Sequence, residues 1–236
     1  MALIHKMRYN RTMNGDLFDL SHNGETWTET IAEDALILRQ YAVAQAPEII
    51  AAIETVTEQS PFRHIQTPGG YTMSAAITCC GDLGWVSGPQ GYRYARQDPQ
   101  TGRDWPEMPA VLREIGQQAA REAGYSEFHP DSCMINRYAP GSKMSLHQDR
   151  HEQDLSAPIV SVSLGVPAMF LFGGMQRSDK TVKVPLAHGD VVVWGGVSRL
   201  CFHGVLPIKA DYHPTLGQDR INITFRVVRK HRTQSI

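Results

Sequence analysis

The chain is short of cysteine, of net charge and of long apolar runs, and each shortage removes a class of protein. Its four cysteines, Cys79, Cys80, Cys133 and Cys201, include one adjacent pair and no C-x-x-C spacing. Neither a disulfide framework nor a zinc ribbon is supported, and the thiols read as reduced and mostly buried, as in a cytoplasmic protein. The formal net charge is −1, so no whole-molecule field announces a nucleic-acid partner, and any such surface must be local. Lys6, Arg8 and Arg11 are not followed by an apolar stretch, so no secretory leader is expected. One uncharged run, residues 155–176, is long enough to raise a membrane span. Ser161, Ser163, Gly165 and Pro167 break it into two strands meeting at Pro167, and no membrane association is expected.

What is present fits one well-filled domain: 236 residues, of which 42% are hydrophobic. Residues 1–32 are polar, carry the turn pairs Asn14-Gly15 and Asn23-Gly24, and read as a poorly ordered leader in which Met13 is an alternative start. Residues 33–236 form the domain itself. Ala35–Leu38 is a short strand. Pro47 then opens a helix with the stripe Ile49, Ile50, Ile53 and Val56, and a second helix runs from Pro109 to a Gly124 cap. Between the helices, residues 61–106 mix Phe62, Tyr71, Trp85, Tyr92, Tyr94 and Trp105 with glycines and with Arg63, Arg93, Arg96 and Arg103. Aromatics interleaved with arginines suit single-stranded nucleic acid, and a lid whose aromatics simply pack it down is the alternative. From 132 to 228 short β-branched runs alternate with turn pairs such as Pro140-Gly141 and Gly173-Gly174. The expected fold is mainly β within an α+β arrangement: a double-stranded β-helix, or jelly roll, braced by two helices and carrying a lid at 61–106.

The chemistry centres on Leu146-His147-Gln148-Asp149. In extended backbone His147 and Asp149 point to one side and can share an ion. Two histidines with one carboxylate form the facial triad of non-haem Fe(II) oxygenases, which leaves positions open for a co-substrate and O2. His203, in an apolar strand-like run, is the candidate third ligand. The last strand, Arg220 to Arg226, alternates strictly: Arg220, Asn222, Thr224 and Arg226 on one face, Ile221, Ile223 and Phe225 on the other. Two arginines turned inward require anions, and a small dicarboxylate matches their forks; an edge strand with its arginines in water is the alternative. Six residues span roughly 20 Å of strand, so both side chains must lean in to hold one small molecule. Asn136 and Tyr138 share a face of another strand and could join them.

At these residues the sequence resembles the AlkB family of Fe(II)/2-oxoglutarate-dependent dioxygenases. The carrying stretches are Ser60–Arg63, Thr67–Ser74, Asn136–Gly141, Leu146–Asp149, Ile159–Gly165, His188–Gly196 and Arg220–Arg226, which together reach across nearly the whole chain. The resemblance implies that His147, Asp149 and His203 hold Fe(II), and that Asn136, Tyr138, Arg220, Asn222 and Arg226 hold 2-oxoglutarate. It makes the lid a nucleotide-recognition lid in which Trp85 and His147 sandwich a flipped base. It also sets Tyr92, Arg93 and Tyr94 on the nucleotide backbone, Lys143 on a phosphate and Arg177 beside the base. The implied activity is oxidative demethylation of 1-methyladenine- or 3-methylcytosine-type bases with release of formaldehyde and succinate, a direct-reversal repair. Alkylated single-stranded DNA is the implied partner, with double-stranded DNA and RNA left open and no protein partner indicated. One departure stands out: where the family pattern reads H-x-D-x-D, this chain has His151, a group that donates or accepts rather than one fixed as an anion. Rival readings are hydroxylation of a protein or metabolite by the same iron core, a binding barrel without turnover, and a zinc hydrolase.

Overall fold

The computed structural model describes residues 26–88 and 90–230. The chain begins with β1 (Trp27–Ala32) and β2 (Ala35–Arg39), followed by α1 (Ala46–Gln59). Next come β3 (Arg63–Gln66), β4 (Thr72–Gly81), the hairpin of β5 (Gly84–Gly88) and β6 (Gly91–Ala95), and α2 (Ala110–Glu122). The second half holds β7 (Ser132–Tyr138), β8 (Met144–His147), β9 (Ile159–Gly165), β10 (Ala168–Phe172) and β11 (Val182–Leu186). It closes with β12 (Val191–Trp194), β13 (His203–Val205) and β14 (Arg220–Arg226). An eight-stranded sheet runs β1-β2-β12-β9-β14-β7-β4-β3, and a four-stranded sheet runs β11-β10-β13-β8. Among the described residues all pairings are antiparallel, and β5 and β6 pair only with each other.

Strand alternation decides which residues meet the helices and which meet the site. On the large sheet Val160, Val162, Leu164, Val191, Val193, Ile221, Ile223 and Phe225 pack with Ile49, Ile53, Val56, Leu112, Ile115 and Ala119 of the two helices. Their neighbours, one residue along, turn the other way into the roll. Ile159, Val192 and Trp194 there meet Phe170, Phe172, Val184 and Leu186 of the small sheet. The polar members of the same face, Arg220, Asn222 and Arg226, line the chamber between the sheets. α1 carries a proline in its first turn. α2 ends in a Schellman motif: Gly124, with φ of +91°, donates to Arg121 and Tyr125 donates to Ala120.

Three expectations need correction. The leader is not featureless to residue 32, because Trp27–Ala32 forms β1; residues 1–25, Met13 among them, lie outside the described residues. β1 is half-exposed and without alternation, and it is held by its ladder to β2 rather than by its own burial. The segment 61–106 is not all lid, since β4 is an inner strand of the large sheet, with Ala75–Cys80 buried. With both faces covered, β4 shows no period of two, which hides it from pattern reading. The apolar strand-like run that holds His203 is a strand only over His203–Val205, and just ahead of it the Phe202 amide donates to the Gly174 carbonyl while the Phe202 carbonyl accepts from the Gly173 amide. No helix among the described residues is long and apolar enough to cross a membrane.

Phe225 sits fully buried where α2 crosses the sheet, with its ring against Gly116. Truncation to alanine leaves a cavity that the sheet cannot collapse into, so Phe225→Ala should cost about 3–5 kcal/mol. Urea unfolding followed by far-UV circular dichroism measures it as a lowered midpoint.

Candidate active site

His147 closes β8 and His203 opens β13, and the two are register partners across that pair. A Cβ on Gly204 would lie 2.7 Å from the Met144 carbonyl oxygen, so glycine there lets β13 approach β8 this closely. Each imidazole donates through Nδ1 to a carbonyl two residues back, His147 to Ser145 at 2.9 Å and His203 to Cys201 at 3.0 Å. A carbonyl only accepts, so both Nε2 atoms are left as ligands, with orientation fixed by the outer bond. His147 Nε2 lies 3.9 Å from Asp149 Oδ1 and His203 Nε2 lies 3.8 Å from Asp149 Oδ2. One ligand atom from each of the three falls within 4.8 Å of the others, a fit to a single ion. The set of two nitrogens and one carboxylate matches Fe(II).

Asp149 does not stand alone. Arg226 donates to its Oδ2 from Nη2 at 2.7 Å and from Nε at 3.1 Å. Burial would raise this carboxyl, but the Arg226 guanidinium, then His203 and His147, outweigh it and hold the group well below the usual carboxylate range. Burial first, and His147 second, lower His203 to about 4, so it is a neutral ligand at neutral pH.

Behind the triad, β14 and its neighbours form a polar chamber. Register sets Tyr138 opposite Arg220 and Asn136 opposite Asn222. Arg220 Nη2 donates to Ser163 Oγ and Asn222 Nδ2 to Ser161 Oγ, both at 2.7 Å. Arg220 Nε, Arg226 Nη1 and Asn136 Oδ1 are buried without hydrogen-bond partners. Each such atom costs about 1–3 kcal/mol, and two of the three are guanidinium donors, so the chamber is built for an anion. Burial lowers Arg220 only to about 10 and raises Tyr138 to about 12, leaving a cation and a phenol donor at neutral pH. Arg226 faces the metal end and Arg220 the far end, so a dicarboxylate lying between them answers the length problem. The residues present fit 2-oxoglutarate, and an edge strand in water is excluded by the 1% and 3% exposure of Arg220 and Arg226.

Outward from the metal lies a cavity of about 710 Å³, of a size that holds a small organic group. Trp85, Tyr92, Lys143, His147, His151 and Arg177 all line it. Trp85 and Tyr92 stack at 4.8 Å, and His151 meets Tyr92 edge-on at 6.0 Å. Arg177 is partly committed, since it donates to the Leu146 carbonyl at 2.6 Å and lies 5.1 Å over Phe202. Two lid residues fall elsewhere. Arg93 is exposed and outside the cavity lining, on the strand face opposite its neighbours. Tyr94 is outside the cavity lining, and its hydroxyl donates to Glu152 at 2.5 Å.

Sequence reasoning missed Ser161 and Ser163, though two serines at a spacing of two in an otherwise apolar strand are a legible sign of a polar inner face. It also missed Glu152 and Arg199, which no local pattern marks. Arg220→Gln removes one end of the anion chamber without touching a metal ligand. Affinity for 2-oxoglutarate should fall about 10- to 100-fold at unchanged metal affinity. Calorimetric titration of the manganese-loaded protein reads both.

Residues 34–226 match the model of the 2OG-Fe(II) oxygenase superfamily. Over 210 residues the chain is 55% identical to the alpha-ketoglutarate-dependent dioxygenase AlkB of Escherichia coli, covering 89% of this chain and 97% of that one. It is 34% identical over 164 residues to the DNA N(6)-methyladenine demethylase ALKBH1C of Arabidopsis thaliana, covering 58% of this chain and 36% of that one. Among solved structures, that of OsALKBH1 superposes with a TM-score of 0.72 at 28% identity, covering 84% of this chain and 99% of the other. A jelly roll, two histidines and a carboxylate on neighbouring strands, and a buried clamp for a dianion thus accompany likeness over almost the full length of a bacterial relative: the chain belongs to the AlkB family of the 2OG-Fe(II) oxygenase superfamily.

Proposed function

We propose that the protein oxidatively removes alkyl groups from base nitrogens in nucleic acid, with alkylated single-stranded DNA as its main substrate. The observation that carries this reading is the stacked pair Trp85–Tyr92 lining the same open cavity as His147. A flat aromatic wall lining the same cavity as an imidazole that would ligate the metal suits a planar base. Bound Fe(II) would supply oxidation of the alkyl carbon by O2, one oxygen atom leaving in succinate as 2-oxoglutarate loses CO2 and the other hydroxylating the alkyl carbon, which then leaves as formaldehyde and restores the base.

The residues do the holding. His147, Asp149 and His203 grip the metal; Arg220, Tyr138, Asn136, Asn222 and Arg226 orient the dianion; Trp85 and His147 sandwich the base. Lys143 and Arg177, at the cavity wall, suit a phosphate and the base edge. Their main contribution is placement of the alkyl carbon beside the metal. Single strands are favoured because extruding a base from a duplex costs a few kcal/mol. The relative named a DNA demethylase supports a nucleic-acid substrate rather than a protein or metabolite. Four free cysteines suit a reducing cytoplasm.

The deciding assay supplies Fe(II) and 2-oxoglutarate with single-stranded oligonucleotides carrying 1-methyladenine or 3-methylcytosine. Equal release of formaldehyde and succinate is expected from the native chain and none from His147→Ala. Succinate without formaldehyde on either lesion would sink the nucleic-acid reading while leaving the iron core. His151→Asp adds an anion to the cavity wall and should favour these cationic bases over neutral 1-methylguanine by about 5-fold, a change of about 1 kcal/mol.

A further inference from the structure

The hairpin β5–β6 has a weakness: among the described residues it is paired with nothing but itself, and isolated two-stranded ribbons are marginal in water. At its base Val86 packs with Ile77, Cys79, Trp105 and Met134, and Trp105 Nε1 donates to the Ala95 carbonyl. Ser87 Oγ donates to the Gln66 carbonyl. Toward the metal, among the described residues, the hairpin has a single side-chain hydrogen bond to the segment 147–152, from Tyr94 to Glu152.

Glu152 is itself buried and three-fold engaged. Its Oε1 takes the Tyr94 hydroxyl and lies 3.5 Å from Arg226 Nε, while Oε2 lies 3.2 Å from Arg199 Nη2. Arg226 also grips Asp149 Oδ2, and Arg199 Nη1 donates to the Asp149 main-chain carbonyl at 2.6 Å. Arg199 further binds the Ala157 carbonyl at 2.9 Å and lies just ahead of His203 in the chain. One carboxylate therefore touches the lid, the arginine on the metal ligand's side chain, and the arginine on that ligand's backbone.

We propose that Glu152 is a positioning residue that fastens the hairpin to the metal centre, holding Trp85 and Tyr92 over His147 through Tyr94 while fixing Asp149 through Arg226 and Arg199. A base that seats against the hairpin then acts on the orientation of Arg226, so that co-substrate consumption and alkyl oxidation stay in step. This rests on the proposed function only for the identity of what the hairpin covers; the fastening itself is a property of the metal-free chain.

The test uses the full chain with Tyr94→Phe, Glu152→Gln and the double variant. Hydrogen exchange on metal-free protein should show the amides of 84–95 exchanging about 10- to 100-fold faster in Tyr94→Phe, with β9 and β14 unchanged. The double variant should exchange no faster at 84–95 than Tyr94→Phe alone, the non-additivity of two residues sharing one bond. In turnover, Tyr94→Phe should release several succinates per formaldehyde where the native chain releases about one. Hairpin exchange at the native rate overturns the fastening, and a loosened hairpin with the ratio still near one overturns the positioning role. Glu152→Gln leaves two buried arginines short of a partner, and where it fails to fold, Tyr94→Phe decides alone because it keeps the carboxylate. If the native chain releases no formaldehyde from the oligonucleotides, the proposed function falls and the exchange result still decides the fastening.

Discussion

The contact between Arg226 and Asp149 is the interaction on which the centre turns. A buried carboxylate among histidines is stable as an anion only with a cation against it, and the guanidinium meets it through two nitrogens. Arg226 is in turn a strand residue of β14, whose opposite face is nailed to the helices by Ile221, Ile223 and Phe225. The hydrophobic core thus sets the height of the arginine, the arginine sets the carboxylate, and the carboxylate completes the triad.

The same two-facedness runs across the large sheet. Strands β7, β9, β12 and β14 each give one set of side chains to the helices and the other to the roll. Along the inner set the character changes from aromatic, at Trp194, which Phe170 and Phe172 of the small sheet meet, to polar, at Asn136, Tyr138, Ser161, Ser163 and Arg220. The apolar part closes the roll against water and raises the worth of each charge inside it. The polar part defines where a dianion lies.

Much of this was legible in the sequence because short-range patterns carried it. The alternation of Arg220–Arg226, the paired spacing of His147 and Asp149, and the caps at Pro47 and Gly124 each specify local geometry, and each has its counterpart in the structure. What was not legible depends on contacts far apart in the chain. β4 lacks alternation because both its faces are covered, so it passed as part of a lid. Tyr94 sits among residues facing the open cavity, and only the fold brings it to Glu152. Arg199 and Glu152 look like ordinary surface charges until the roll closes around them.

The two imidazoles face each other across one rung of a backbone ladder, and their outer nitrogens are already tied to carbonyls. Their spacing is therefore set by peptide geometry and exists before any ion arrives. A zinc finger must fold around its metal and unfolds when stripped; this centre asks almost no conformational entropy of the chain on loading. The chain's own hydrogen bonds, and not the ion, thus set the angle at which each ring meets its ligand position.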